Sequence, residues 1–150
     1  MVSNVVNVDP REVEMLQQYL NEFGQQIEAH SRQLEMFEQR RIESLTAAET
    51  LKNLSDDNGN TVLLPLGGGA SIRVNVADTD KVLLNIGSDV IVERTGSDTI
   101  AFLNDRVREI EAMQKKIAAT IEQIQKQAQE VAMRIETASK QAQMNQQPGH

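Results

Sequence analysis

The sequence contains no cysteine and no tryptophan, and its 150 residues include only three phenylalanines and one tyrosine. Without cysteine the chain forms no disulfide and offers no thiolate to a metal, which is compatible with the cytoplasm. A compact core usually relies on aromatic bulk, so the scarcity of aromatic residues favours a rod-shaped fold with a thin apolar seam. No apolar run approaches the roughly 20 residues that cross a membrane, and no signal-like segment opens the sequence. These features predict a soluble, cytoplasmic protein.

Positive charge is also scarce, since the sequence has 15 lysines and arginines against 22 acidic residues and a net charge of −7. Nucleic acids and acidic membrane surfaces attract basic proteins, so neither is an expected partner. Of the two histidines, His30 falls on a helical apolar stripe and His150 at the end of the sequence. Neither has acidic neighbours at metal-ligand spacing, and no nucleophile is paired with a base. We therefore expect no enzymatic activity, no metal and no cofactor.

Two short stretches resemble ligand loops without matching them. The run Gly67-Gly68-Gly69 lacks the spacing of a phosphate-binding loop and precedes no predicted helix. Residues 56–60 lack the alternating ligands and closing glutamate of a calcium loop. The first is better interpreted as a hairpin turn, and the second as the end of a helix.

The dominant pattern is an apolar stripe in the last third of the sequence, whose steps alternate between four and three residues. This spacing is typical of a coiled-coil seam and predicts a helix over 98–142 that needs a partner helix of similar length. At 1.5 Å per residue the stripe spans roughly 60 Å. Its members are Leu103, Val107, Ile110, Gln114, Ile117, Ile121, Ile124, Ala128, Val131, Ile135, Ala138 and Ala142.

A second stripe predicts the partner helix over 9–55, with Asp9 as its N-terminal cap and Pro10 in its first turn. Beyond residue 37 the apolar pattern weakens at Arg41 and Ser44. It resumes one step later, which predicts a four-residue insertion in the repeat, known as a stutter. The first part of the stripe comprises Val13, Leu16, Leu20, Phe23, Ile27, His30, Leu34 and Phe37, and the second part Leu45, Ala48, Leu51 and Leu54.

Between the helices, residues 61–95 change to a period of two and predict four short strands in two β-hairpins. Four short strands cannot close a barrel, and one pair of helices cannot cover their apolar face. Open strand edges invite pairing with other chains, so we expect the chain to oligomerise through this insert. The predicted contact residues are Val62, Leu64, Leu66, Ile72, Val74, Val76, Val82, Leu84, Ile86, Val90 and Val92.

The resulting expectation is one α+β domain, a long antiparallel two-helix coiled coil with two β-hairpins inserted between the helices. Residues 1–8 are expected to form a flexible leader and residues 143–150 a disordered tail, with both ends meeting far from the hairpins. Arg41 and Gln114 would lie at similar heights on the seam. Two interpretations of this pair remain open, namely that it fixes the register or that both long side chains simply reach towards solvent.

Apolar residues gather near both chain ends, where a coiled coil does not need them for folding. Such a cluster indicates a contact surface, and methionine adapts to partners of many shapes. Met144 lies near the same end. The predicted contact residues are Val5, Val6, Val8, Met15, Tyr19, Val131, Met133 and Ile135.

The order helix, two hairpins, helix, with the stretches TVLLPLGGGASIRVNV and KVLLNIGSDVIVER, resembles the α-type subunits of archaeal prefoldin over essentially the whole length. The second hairpin is the distinguishing feature, since β-type subunits carry one. The resemblance implies an α2β4 hexamer with a β-barrel platform. It also implies an ATP-independent holdase that binds non-native polypeptides at its coiled-coil tips and passes them to a group II chaperonin. The residues alone also allow a structural adaptor or tether that assembles through its β insert.

Overall fold

A computed structural model of the chain describes residues 9–56 and 61–146, without the side chains of 55–56 and 145–146. Along the chain, two β-hairpins lie between two long helices, which confirms the predicted fold class. Helix α2 continues through residues 143–146, where the sequence predicts a disordered tail, because Gln and Met are good helix formers. The elements are α1 Pro10–Asp56, β1 Thr61–Gly67, β2 Ala70–Asn75, β3 Val82–Asn85, β4 Ile91–Arg94 and α2 Gly96–Gln146.

Both helices begin at capping residues. The Arg11 backbone N–H donates to Asp9 Oδ1 at 3.1 Å, which satisfies one amide at the start of α1. At the start of α2, the Asp98 backbone N–H donates to Thr95 Oγ1 at 3.1 Å. The Thr99 hydroxyl donates to the Thr95 carbonyl at 2.8 Å. Thr99 is thereby fully buried without an unpaired polar group.

The chain divides into two compact units. Residues 37–113 form the hairpin unit, which holds both hairpins and the adjoining parts of the two helices. The described residues of 9–36 and 114–146 form the helical unit. Within the hairpin unit the helices run antiparallel, since residues 37–44 line one crevice with 106–113, and residues 42–51 line another groove with Thr99 and Leu103.

The seam of α2 follows the predicted spacing from Leu103 to Ala138, and every member is buried or half-buried. The last predicted position is wrong, because Ala142 is exposed and Gln141 is half-buried in its place. In the helical unit the α1 positions from Val13 to Leu34 are half-buried at the predicted spacing. These apolar stripes are the interior of each unit.

The predicted stutter in α1 is wrong. The seam continues without a shift through Phe37, Arg41, Ser44, Ala48 and Leu51. Ser44 is 7% exposed, whereas the neighbouring leucine, which the predicted insertion would bury, is 39% exposed. The helical repeat therefore persists through two polar positions.

Arg41 is tolerated on the seam because carboxylates surround its guanidinium. Its Nε donates to Glu38 Oε2 at 3.0 Å and its Nη2 to Oε1 at 2.7 Å. Its Nη1 lies 3.9 Å from Glu111 Oε1 on α2. The hydrogen bond to Glu38 and the two negative charges raise the pKa of Arg41. Gln114, a polar seam residue of α2, is half-buried in the helical unit.

The hairpins form two separate two-stranded antiparallel sheets, β1–β2 and β3–β4. In the first, Val62 lies opposite Val74, and Leu64 opposite Ile72. Its turn places Gly68 and Gly69 at φ +60° and +82°. Two consecutive positive φ angles are the requirement of a tight type I′ turn, which glycine meets without strain. In the second hairpin, Leu84 lies opposite Val92 across the two strands.

Candidate interaction surfaces

The first hairpin keeps its apolar side chains largely exposed. The register places Leu64 and Ile72 side by side on one face, and both are exposed together with Leu66. Val62, Val74 and Val76 are half-buried. Within this chain the predicted contact residues of the first hairpin thus lie together, with much of their apolar surface open to a partner.

The second hairpin buries one face and exposes the other. Leu84 is buried in the hairpin unit, and Val82 and Val92 are half-buried. Ile86 and Val90, at the turn, remain exposed. Of the predicted contact residues in this hairpin, only this turn pair is open.

Sequence reasoning missed three of the four most exposed apolar residues of the hairpins and identified Leu66. Leu83 is 73% exposed and Ile91 is 63% exposed, both on the face opposite Leu84, and Leu63 is similarly exposed on the first hairpin. A signal was present in the unbroken runs Leu63-Leu64 and Leu83-Leu84, because strands that are apolar on both faces do not alternate.

An apolar groove with a volume of about 580 Å³ adjoins Leu83 and is lined by α1, β3 and α2. Ile42 and Leu51 contribute from α1, and Leu103 from α2. The hydroxyl of Thr50, which also lines the groove, donates to the Thr46 carbonyl at 2.8 Å. This hydroxyl is satisfied by its own helix, so the groove extends the apolar surface of the second hairpin.

The predicted contact residues of the helical unit are divided between surface and seam. Met15, Tyr19 and Met133 are exposed. Met15 and Tyr19 lie four residues apart on α1, which makes them neighbours on one face of the helix. The remaining predicted residues differ, since Val131 and Ile135 are half-buried on the seam and Val5, Val6 and Val8 lie outside the described residues.

Two further methionines of the helical unit are exposed, Met36 and Met144. Met36 was missed because it adjoins the seam residue Phe37 and lies far along the sequence from the other methionines. Among the described residues of this unit, the exposed large apolar side chains are four methionines and one tyrosine. In the hairpin unit they are ten leucine, isoleucine and valine side chains and Met113.

Metal ligation and membrane crossing were considered for the part of the chain that the structure describes. No group of three acidic or histidine side chains there is arranged to hold a metal ion. No described helix is both long and apolar enough to cross a bilayer. The available chemistry is apolar contact.

Comparison with known proteins identifies the architecture. The family model of the prefoldin subunit matches residues 13–141. The chain belongs to the prefoldin family. The prefoldin subunit alpha of Methanoculleus marisnigri is 53% identical over 120 residues, which cover 80% of each chain. That of Methanospirillum hungatei is 42% identical over 140 residues, which cover 93% of this chain and 94% of the relative.

A solved prefoldin structure supports the same fold. The cryo-EM structure of filamentous PFD from Methanocaldococcus jannaschii superimposes with a TM-score of 0.67 at 18% identity, covering 77% of this chain and 97% of that chain. Prefoldin subunits are components of a chaperone and not enzymes, so family membership confirms both the predicted resemblance and the predicted absence of enzymatic activity.

Proposed function

We propose that this prefoldin chain is a subunit of a cytoplasmic holdase. The assembled protein binds non-native polypeptides without ATP and delivers them to a group II chaperonin. One observation supports the binding step above others, namely that the helical unit exposes methionine and tyrosine while its leucines and isoleucines stay on the seam. These exposed groups lie off that seam.

Methionine suits a surface that must accept many sequences. Its side chain is unbranched and polarisable, and it adapts to irregular partners. Non-native chains present apolar side chains in no fixed arrangement, so a rigid pocket would select few of them. Full burial of a methionine side chain is worth about 1.5–3 kcal/mol. Several weak, separate contacts therefore hold a client without specifying its sequence.

The hairpins supply the assembly surface of this proposal. We place Leu64, Leu66 and Ile72 of the first hairpin and Ile86 and Val90 of the second at contacts with β-type subunits. These contacts would build the β-barrel platform of an α2β4 hexamer. The exposure of these side chains supports this placement. So do the unpaired edges of two separate two-stranded sheets, because strand edges and apolar faces drive association.

The test uses the chain assembled with a β-type partner and a chemically unfolded enzyme as client. The assembly should suppress client aggregation without nucleotide and release the client to a group II chaperonin. The variant M15Q/Y19Q/M133Q should assemble normally yet lose most of this suppression. The control Q18A/Q25A/Q129A changes three exposed polar residues of the same unit and should retain it.

Two results would contradict the proposal. One is an assembly that suppresses aggregation equally well with and without the three apolar residues. The other is an assembly that ignores unfolded clients and binds one folded protein at fixed stoichiometry. The second result would establish the adaptor or tether instead, and native mass measurement of the bound complex distinguishes the two.

A further inference from the structure

We propose that the exposed methionines form a reversible oxidation site that controls client release. Conversion of their thioethers to sulfoxides by a peroxide would remove the apolar contacts while leaving the coiled coil folded. This inference rests on the proposed function, because it concerns the surface that holds the client.

The first observation is that every described methionine is exposed. The five residues Met15, Met36, Met113, Met133 and Met144 are between 49% and 76% exposed. Methionine is more often found in protein interiors than on surfaces. Each of these side chains is therefore open to a dissolved oxidant without any opening of the fold.

The second observation is that no described methionine is buried or occupies a seam position. The described seam positions carry mainly leucine, isoleucine, valine, alanine and phenylalanine, with a few polar residues. Among the described residues, the buried apolar side chains are Ala48, Leu84, Leu103, Val107, Ile110, Ile124 and Ala138. Oxidation of methionine disrupts proteins whose cores contain it, whereas here it changes the surface and spares the interior.

The third observation is the absence of cysteine from the whole sequence. No thiolate competes for the oxidant, so methionine is the side chain open to mild oxidation. The thioether sulfur attacks one peroxide oxygen, an S–O bond forms and the O–O bond breaks. The sulfur loses two electrons, and the other oxygen leaves as water after taking up the protons of the peroxide. No group beyond hydrogen peroxide is required.

The expected consequence is weaker client binding. Burial of the thioether against an apolar client is favourable. A sulfoxide is polar, so its burial in the same place does not provide that free energy. For each methionine removed from the contact, client affinity should fall about tenfold. Methionine sulfoxide reductases restore the thioether with two electrons from an added thiol reductant, and the oxygen leaves as water, which makes the change reversible.

The experiment oxidises the full chain with dilute hydrogen peroxide, removes the peroxide and assembles the chain with an untreated partner subunit. Mass spectrometry should find sulfoxide at the five methionines, and circular dichroism should find an unchanged helical content and melting temperature. Suppression of client aggregation should be lost after oxidation and return after treatment with MsrA, MsrB and a thiol reductant.

Matched variants locate the effect. The variant M15L/M36L/M133L/M144L removes the sulfur from the helical unit while keeping an apolar side chain that forms helix well. It should suppress aggregation before and after peroxide. The single variant M113L should remain as sensitive as the natural sequence.

Several outcomes would overturn the inference. One is a loss of suppression after peroxide in the four-leucine variant that equals the loss in the natural chain, which would place the damage elsewhere. Another is an oxidised natural chain that retains full suppression, and a third is melting of the coiled coil on oxidation. An assembly that is inactive before any treatment contradicts the proposed function itself, which separates that failure from these.

Discussion

The helical unit and the hairpin unit are built from the same two helices, yet they present different apolar side chains to solvent. The helical unit exposes four methionines and a tyrosine among its described residues, and the hairpin unit exposes mainly leucine, isoleucine and valine. The seams of the two units show no such difference, since both are largely aliphatic. The contrast is therefore confined to the surface.

Stiffness accounts for the contrast in physical terms. Valine and isoleucine are branched at Cβ and have few rotamers, so they favour one well-defined fit on a strand surface. Methionine has three rotatable side-chain bonds and loses its fit less easily when the partner changes. A surface for one constant partner and a surface for many partners accordingly call for different residues. Three predictions test this division.

The largest effect is expected at the first hairpin. A charge at the exposed position Leu64 would have to enter an apolar contact, so L64D should weaken assembly with a β-type subunit by at least about 100-fold. The control Q25D adds the same charge to an exposed position of the helical unit and should leave assembly unchanged. Analytical ultracentrifugation measures both, and normal assembly of L64D would break the division between the units.

A smaller effect is expected when one buried seam side chain is shortened in each unit. Ile110 in the hairpin unit and Ile124 in the helical unit are both buried. Replacing either with alanine should lower the free energy of unfolding by about 2–4 kcal/mol, since it removes apolar contacts and leaves a cavity. The exposed Ile42 provides the control, because I42A should cost less than about 1 kcal/mol.

Urea unfolding followed by circular dichroism measures all three variants. A cost for I124A no greater than that for I42A would show that the seam does not stabilise the helical unit. The two units would then differ in their interiors as well as on their surfaces.

The smallest effects are expected at glycines, with opposite signs in the two units. Gly24 lies within α1, and a Cβ added there would meet no atom within 4 Å. G24A should therefore raise the free energy of unfolding by about 0.5–1 kcal/mol. Gly68 lies at φ +60° in the hairpin turn, so G68A should instead lower the free energy of unfolding by about 1 kcal/mol. Thermal unfolding resolves the two signs, and destabilisation by G24A would reveal a role for that glycine beyond helix propensity.

The seam was predictable because heptad spacing constrains every position of a long helix. The error in α1 arose where polarity was allowed to outweigh periodicity. Arg41 follows Val13 by 41 − 13 = 28 residues, which is four heptads, so spacing alone places it on the seam. Its neighbours Glu38 and Glu111 make that position tolerable. The pairing with Glu111 depends on which side chains of the two helices meet, and spacing along one helix does not reveal this.

The candidate surfaces were predictable only in part. Met15, Tyr19 and Met133 could be identified because they fall off the seam near the chain ends. Leu83 and Ile91 were missed because the alternation rule assigns one apolar face to each strand. A hairpin that is apolar on both faces appears in sequence as an unbroken run, and only the strand register reveals which residues each face carries.

Within the described ranges, β1 pairs only with β2 and β3 only with β4, which has a further consequence for assembly. Each two-stranded sheet has its own pair of open edges, so the chain carries two separate attachment points. In the proposed complex, such a subunit offers four strand edges for pairing, whereas a subunit with one hairpin offers two. The ratio of two-hairpin to one-hairpin chains would then determine how far the platform grows before it closes.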